Sequence, residues 1–402
     1  MTDTIVLAGA AIVLPDRVLD TGSLVIAGGH IAEIVPREVP PSPGDRHVLL
    51  RGHVIVPGFV DLHMHGLEGV DTLDDGGAIA ALAERAPRYG VTAFAPTTVA
   101  CSPAALRTVL GAIRDARCSP RPARARVLAA HLESNFINPE YRGAQPARCL
   151  RLPFAPAPAA GSGENWFSGQ DILDAIDEAG PDVGIVTMAP EIDGGLDLLR
   201  RFARAGVIVS LGHSGASFDV GAEAIRAGAR QATHLFNRMA PVAHREPGLA
   251  GAVLESSEIA AELVCDGFHV HPGMLRVAIA AKGRDRVMAI TDSSAGAGLP
   301  PGSTTMLGGR RIRVTGQATF LEDGTLAGSS ATMDRVFRVL VSEVGLSLVD
   351  AVHLCATTPA RELGLHGHGL IAVGAAADLA VLDSRYGVAE TIIGGLPSLG
   401  RL

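Results

Sequence analysis

His63, His65, Glu133, His213, His234 and Asp292 each close an apolar, strand-like run, and together they form a set of nitrogen and oxygen donors. Such a set suits one or two divalent metals beside a reactive water. Hydrolysing an unactivated amide requires a nucleophile at neutral pH and a polarised carbonyl, and a metal site can supply both. Glu133 offers two oxygens and can ligate one metal or bridge two, while His213 and His234 contribute neutral imidazoles. His63 and His65 make a second site possible, and Asp292 can take the water's proton and deliver it to the leaving amine. The chemistry expected of this set is that of a metal-dependent hydrolase.

A single histidine at a strand end is more often a hydrogen-bonded structural residue than a ligand, and a single carboxylate there is more often a helix cap. On that ground His30, His47, His53, His353, His366 and His368 read as surface or loop residues. The six differ because the elements that carry them recur. Eight apolar runs rich in β-branched residues occupy 54–64, 91–98, 126–133, 183–190, 207–213, 231–235, 261–266 and 287–292. Between most of them lie segments with apolar residues three and four apart, at 78–89, 103–116, 170–179, 196–205, 217–227 and 273–281, which predict helices. This alternation predicts an α/β fold, a (β/α)8 TIM-like barrel. In the first strand Asp61, His63 and His65 alternate with Val60, Leu62 and Met64, so a period of two places the polar set toward the axis and the apolar set under the helices. Glu133, His213, His234 and Asp292 then fall at the carboxyl ends of strands three, five, six and eight, where barrel enzymes carry their active sites.

Residues 1–53 and 368–402 consist of short alternating runs broken by Pro and Gly, and predict one small β-sandwich domain beside a catalytic barrel over 54–367. Residues 304–327 read as a hairpin insertion and 333–364 as closing helices. The long Pro-, Ala- and Gly-rich stretch 134–169, which holds Trp166, reads as a lid.

Composition narrows the class further. The 402 residues are 47% hydrophobic and 19% charged, with 48 Gly and 25 Pro, as expected for many short elements joined by turns. A net charge of −8 without a basic run argues against nucleic acid or an anionic membrane as partner. No apolar stretch reaches the length of a membrane span, and the start of the chain lacks the basic segment of a secretory signal, so a cytoplasmic protein is expected. The five cysteines include no Cys-x-x-Cys pair and read as reduced bystanders. Lys282 is the sole lysine and sits in a polar turn, which disfavours Schiff-base chemistry and a carbamylated-lysine metal bridge.

The motifs resemble those of the amidohydrolase superfamily and, within it, the N-acetylglucosamine-6-phosphate deacetylases. They comprise Pro57 to Gly66 (PGFVDLHMHG), His131-Leu132-Glu133, Ala189-Pro190-Glu191, Gly212-His213-Ser214, Ala232 to Asn237 (ATHLFN), Arg245-Glu246-Pro247-Gly248, Asp266 to Val270, Thr291-Asp292 and Leu326 to Ser329. The resemblance implies hydrolysis of the acetamide of an amino-sugar 6-phosphate. It implies that Glu133, His213 and His234 bind the main metal, zinc before iron, cobalt or manganese, with Asp292 as acid and base and also as a metal contact. His63 and His65 match members that hold a second metal. By the same likeness Ala144, Gln145, Asn237, Arg238, Arg245, His269, Leu326, Ala327 and Gly328 surround the sugar phosphate, with Arg245 reaching in from the neighbouring subunit of a homodimer.

The chain departs from the family pattern in three places. Ser134 and Asn135 stand where Gly-Pro usually follows the metal-binding Glu, Gln145 replaces a histidine, and Arg238 replaces a small residue. Gln145 can donate a hydrogen bond but carries no charge. Two competing readings are an amidohydrolase acting on another N-acyl substrate, such as N-acetylgalactosamine 6-phosphate, an unphosphorylated amino sugar or an N-acyl amino acid, and a non-catalytic scaffold on the same barrel.

Overall fold

The computed structural model describes residues 4–157 and 166–402. Eight strands form the barrel: β1 (Phe59–Met64), β2 (Val91–Thr98), β3 (Ala130–Glu133), β4 (Val183–Met188), β5 (Ile208–Leu211), β6 (Gln231–Ala232), β7 (Ala260–Val264) and β8 (Val287–Ile290). Neighbours pair in parallel in that order, and a parallel bridge between Met64 and Ser293 closes the ring, reinforced by His65 N–H donating to Ser293 O at 2.8 Å. All residues of β1, β2, β3, β7 and β8 are buried, as expected of strands covered on both faces.

The predicted helices all form, and their ends carry the chemistry that fixes them. Ser102 accepts the Ala105 N–H ahead of Pro103–Cys118, and Ser168 with Asp171 makes a reciprocal capping box ahead of Gly169–Ala179. The helix Gly248–Glu255 escapes the periodicity reading. Its sequence, GLAGAVLE, is small and apolar on nearly every side, so it shows no single amphipathic stripe.

Two expectations about strands need correction. The run 54–64 is not one strand: Val54–Pro57 pairs with Ala11–Ile12 and with Leu379–Leu382 in the terminal sheet, and the barrel begins only at Phe59. The break falls at Gly58, where a Cβ would lie 2.1 Å from Thr92 Cγ2, so the chain crosses β2 at a distance no side chain permits. Within β1 the strict alternation also fails. Val60 and Leu62 pack with Ala93, Ala95, Ile185, Met288 and Ile290, residues of β2, β4 and β8 that can meet only inside the barrel. The register against β2 slips between Asp61 and Met64, and beyond the slip His63 faces the interior as well.

Both chain ends meet in one eight-stranded sheet that also holds Ile5–Val13, Val18–Ala27, His30–Val35, Arg46–Leu49, Val388–Ile393 and Leu396–Pro397. Asp378 ties this sheet to the barrel: its carboxylate accepts Arg126 Nε at 3.1 Å, His368 Nδ1 at 2.8 Å and Gly394 N–H at 2.7 Å. Residues 304–327 form more than a hairpin. Four antiparallel strands, Thr304–Leu307, Arg310–Val314, Ala318–Leu321 and Leu326–Ser329, make a meander whose last strand returns to β8 through Ser329 N–H and Asp292 O at 2.7 Å. That return places Leu326 and Gly328 beside Asp292.

Candidate active site

His63, His65, Glu133, His213, His234 and Asp292 converge at the carboxyl end of the barrel, and all are buried, Asp292 being the most open at 8% exposed. Glu133 ends β3, whereas His213, His234 and Asp292 lie just past β5, β6 and β8. These three have left-handed backbone, with φ of 48°, 31° and 47°. The conformation costs an ordinary residue about 1–3 kcal/mol and persists only where the surroundings impose it. Phe236 and Arg238 share it, with φ of 78° and 51°, so the turn that follows β6 is strained over several residues. For His213 the surroundings are visible: Glu191 at the end of β4 accepts from Ser214 Oγ at 2.7 Å and from Gly215 N–H at 2.7 Å, clamping the turn.

The hydrogen bonds set which nitrogen each ring presents. The carbonyl of Tyr141 can only accept, so His213 donates through Nδ1 at 2.8 Å and a neutral ring turns an unprotonated Nε2 inward. That nitrogen faces Glu133 Oε1 at 2.8 Å and His234 Nε2 at 3.1 Å, while His234 Nε2 is 2.9 Å from the same oxygen. Lone pairs crowded this closely, in a buried place, are a donor set that fits a cation. On the other side His63 Nε2 and His65 Nε2 are 3.1 Å apart, and His65 Nε2 is 3.4 Å from both Glu133 Oε2 and Asp292 Oδ1. His63, His65 and Glu133 therefore form a second group able to hold a metal, sharing Glu133 with the first.

A third group, His63, His131 and Glu262, has donor atoms at metal-binding separations but different chemistry. His131 donates Nδ1–H to Leu62 O at 2.9 Å and meets Thr187 Oγ1 through Nε2 at 2.7 Å, so neither nitrogen is free. From Thr187 a hydroxyl chain continues through Thr233 at 2.7 Å to Ser210 at 2.6 Å, a polar layer beneath the site. Glu262 instead supports: its Oε2 lies 3.0 Å from His63 Nδ1 and fixes that ring with Nε2 toward the cluster.

Charge follows the same geometry. Burial would raise Glu133, but without a metal the His213 ring beside it, when it carries a proton on both nitrogens, holds the carboxyl well below the usual range. Burial pushes Glu262 well above that range and, together with His131, pushes His63 well below the usual histidine value. Asp61, raised to about 6 by burial, accepts Thr291 Oγ1 at 2.6 Å and so ties β1 to the residue before Asp292.

A small cavity above these residues is lined by His65, Glu133, His213, His234 and Asp292 together with Ala144, Gln145, Asn237, Arg238, His269, Leu326 and Gly328. A larger cavity opens at the opposite end of the barrel, lined by Val183, Val207 and Ile208 among others, and contains none of the six. Two predicted substrate residues stand apart from the site cavity. Ala327 turns its side chain into a small core with Val99, Leu307 and Ile312, because neighbours along a strand point to opposite faces. Arg245 is exposed.

The departures from the family pattern have structural roles. Ser134 Oγ donates to Thr187 O at 2.6 Å, and Asn135 Nδ2 donates to Cys101 O at 2.8 Å and Cys149 O at 2.7 Å, pinning the segment that leaves β3. Ala100 N–H donates to Gln145 Oε1 at 2.7 Å, which orients the amide, and Gln145 Nε2 then donates to Glu133 Oε2. The predicted lid is described only in part, since 158–165 lie outside the described residues.

Sequence reasoning missed Glu262, His131 in its structural role, and Thr187. Glu262 did leave a signal, a lone charge inside the apolar run AAELV.

Comparison with known proteins agrees with this geometry. The amidohydrolase family profile matches residues 202–398. An N-acetylglucosamine-6-phosphate deacetylase of Bacillus subtilis is 32% identical over 98% of this chain and 97% of its own. An N-acetylgalactosamine-6-phosphate deacetylase of Escherichia coli O157:H7 is 33% identical over 94% of each. The solved structure of an N-acetyl-D-glucosamine-6-phosphate deacetylase mutant from Mycobacterium smegmatis, in complex with N-acetyl-D-glucosamine-6-phosphate, superposes with a TM-score of 0.87 at 31% identity, covering 98% of this chain and 99% of that one. Related along nearly its full length, the chain belongs to the N-acetylglucosamine-6-phosphate deacetylase family of the amidohydrolases.

Proposed function

We propose that the protein hydrolyses the acetamide of N-acetylglucosamine 6-phosphate to glucosamine 6-phosphate and acetate. The observation that carries this reading is the convergence of His213 Nε2 and His234 Nε2 on one oxygen of Glu133, at 2.8 and 2.9 Å, with Asp292 lining the same cavity. Glu133, His213 and His234 would hold a divalent metal, zinc first, with iron, cobalt and manganese also suited to the donors. His63 and His65, with Asp292 Oδ1 3.5 and 3.4 Å away, would hold a second. When bound, the metal supplies Lewis-acid polarisation of the amide carbonyl and acidifies water.

The chain's own groups do the rest. Asp292 accepts the proton of the attacking water and returns it to the departing sugar nitrogen, so one carboxylate serves both halves of the reaction. Gln145 keeps Glu133 Oε2 in place through one N–H and has a second N–H to offer the substrate carbonyl. Asn237, Arg238 and His269, with Ala144 and the backbone from Leu326 through Ala327 to Gly328, surround the sugar phosphate. His269 is held for this by Asp266 Oδ2 at 2.6 Å from its Nδ1. Arg245, exposed and away from the cavity, fits a role in the neighbouring site of a cytoplasmic homodimer.

The test is acetate release from N-acetylglucosamine 6-phosphate by protein of known metal content, against a chelated control. Release that matches the control would refute the reading. The galactosamine epimer is a second candidate substrate, favoured by the likeness to the E. coli relative, and the same assay separates the two.

A further inference from the structure

The meander carries a charge on its inner face that the proposed reaction does not use. In the pairing of Thr304–Leu307 with Arg310–Val314, Leu307 stands opposite Arg310, so both side chains leave the same face of the ribbon. That face is the barrel side: Leu307 lines the site cavity, and Ile312, two residues beyond Arg310, is fully buried against Val99 and Ala327. Nε and Nη2 of Arg310 are buried there without a hydrogen-bond partner. Its surroundings add to the difficulty. Burial lowers the affinity of Arg310 for its proton, Arg148 and Arg142 oppose its charge, and Asp323 favours it. Asp323 is also engaged elsewhere, accepting Thr325 N–H at 2.9 Å. Arg142 and Arg148 are exposed, and Arg142 spends one N–H on Pro139 O at 3.1 Å. Arg148 and Arg142 thus lie near enough to Arg310 for their charges to oppose its own, in a chain whose net charge is −8.

Buried guanidinium nitrogens without acceptors are costly unless an anion completes them. We infer that Arg310, with Arg148 and Arg142, forms an anion subsite on the Leu307 side of the mouth, which accepts a second anionic substituent, phosphate or carboxylate, of an N-acetyl amino-sugar 6-phosphate. The planar fork of arginine suits either group. Arg310, Arg148 and Arg142 are not among Asn237, Arg238 and His269, which the proposed function gives to the 6-phosphate, and the inference rests on that proposal.

The experiment compares three substrates with metal-loaded wild type, Arg310→Gln and Arg148→Gln: the 6-phosphate, the 1,6-bisphosphate and a 3-O-carboxyalkyl 6-phosphate of N-acetylglucosamine. At least one doubly anionic substrate should show a KM about tenfold below that of the 6-phosphate with wild type. Arg310→Gln should remove that advantage, Arg148→Gln should reduce it, and both should leave kcat and KM for the 6-phosphate within twofold. The two doubly anionic compounds tell phosphate from carboxylate. No advantage for either compound with wild type, or an equal KM rise for all three substrates in Arg310→Gln, overturns the subsite. If no substrate releases acetate, the deacetylase reading fails, and calorimetric binding of the same compounds and of inorganic phosphate to wild type and Arg310→Gln still decides the subsite. Equal binding by the two proteins would refute it.

Discussion

Glu262 offers the sharpest test of how the site is built. Its carboxyl group and the His63 ring are both fully buried, and Oε2 lies 3.0 Å from Nδ1. The other contact of Oε2, from His234 N–H at 3.4 Å, is long and contributes little. Replacing Glu262 with Leu therefore removes one buried hydrogen bond and leaves Nδ1–H without an acceptor in a dry place, at a cost of about 1–3 kcal/mol. At about 1.4 kcal/mol per factor of ten, metal affinity should fall roughly 10- to 100-fold, the range seen when such supporting partners are lost. Glu262→Gln keeps an acceptor of the same shape and should lose tenfold or less. The fold should respond differently. Burial already disfavours the ionised carboxylate, so its removal should change the stability of the metal-free protein by only about 1 kcal/mol in either direction. Competition with a chelating dye gives the affinity, and thermal unfolding of the metal-free protein gives the stability. Wild-type affinity in Glu262→Leu, or an affinity loss matched by a collapse in Tm, would show that Glu262 does not position His63.

Three further outcomes follow from the geometry. Asp292→Asn should retain the fold and most of the metal while losing about 10²- to 10⁴-fold in kcat, and near-normal turnover would mean that the proton moves through another group. Gly328→Ala places a Cβ 2.9 Å from Asp292 O at a φ of +71°, so denaturant unfolding should show a loss above 1 kcal/mol, with activity falling further than stability explains. Asp378→Asn should cost about 2–3 kcal/mol at neutral pH. Burial would raise the Asp378 carboxyl, but His368 and Arg126 hold it below the usual range, so its contribution is present above pH about 4 and is lost as pH falls below that. The wild-type and Asn curves should converge in acid, and a constant gap across pH 3–7 would exclude the charge as the cause.

The barrel and the convergence of six residues at its carboxyl end were legible because strand ends carry a strong local signal, an apolar run that stops at His, Glu or Asp. What failed were features decided by distant partners. Nothing local in 54–64 says that Gly58 must pass against Thr92, so two strands of different sheets read as one. The slip in β1 likewise depends on its register with β2, and so Val60 and Leu62 were assigned to the wrong face. Glu262 and Arg310 show the opposite lapse, since a lone charge on a buried face is visible in sequence and was passed over for want of a motif.

The left-handed turns at His213, His234 and Asp292 also constrain how such a chain can vary. Glycine or asparagine would relax each turn, and a variant such as His213→Gly should gain on the order of 1 kcal/mol in the metal-free protein. Selection for thermal robustness alone would then tend to erase these positions, and only continued demand for turnover would retain them. A library sorted for stability without metal should therefore find enrichment at the very residues an activity screen finds intolerant. Contrary responses of that kind would mark the active centre without any substrate in hand.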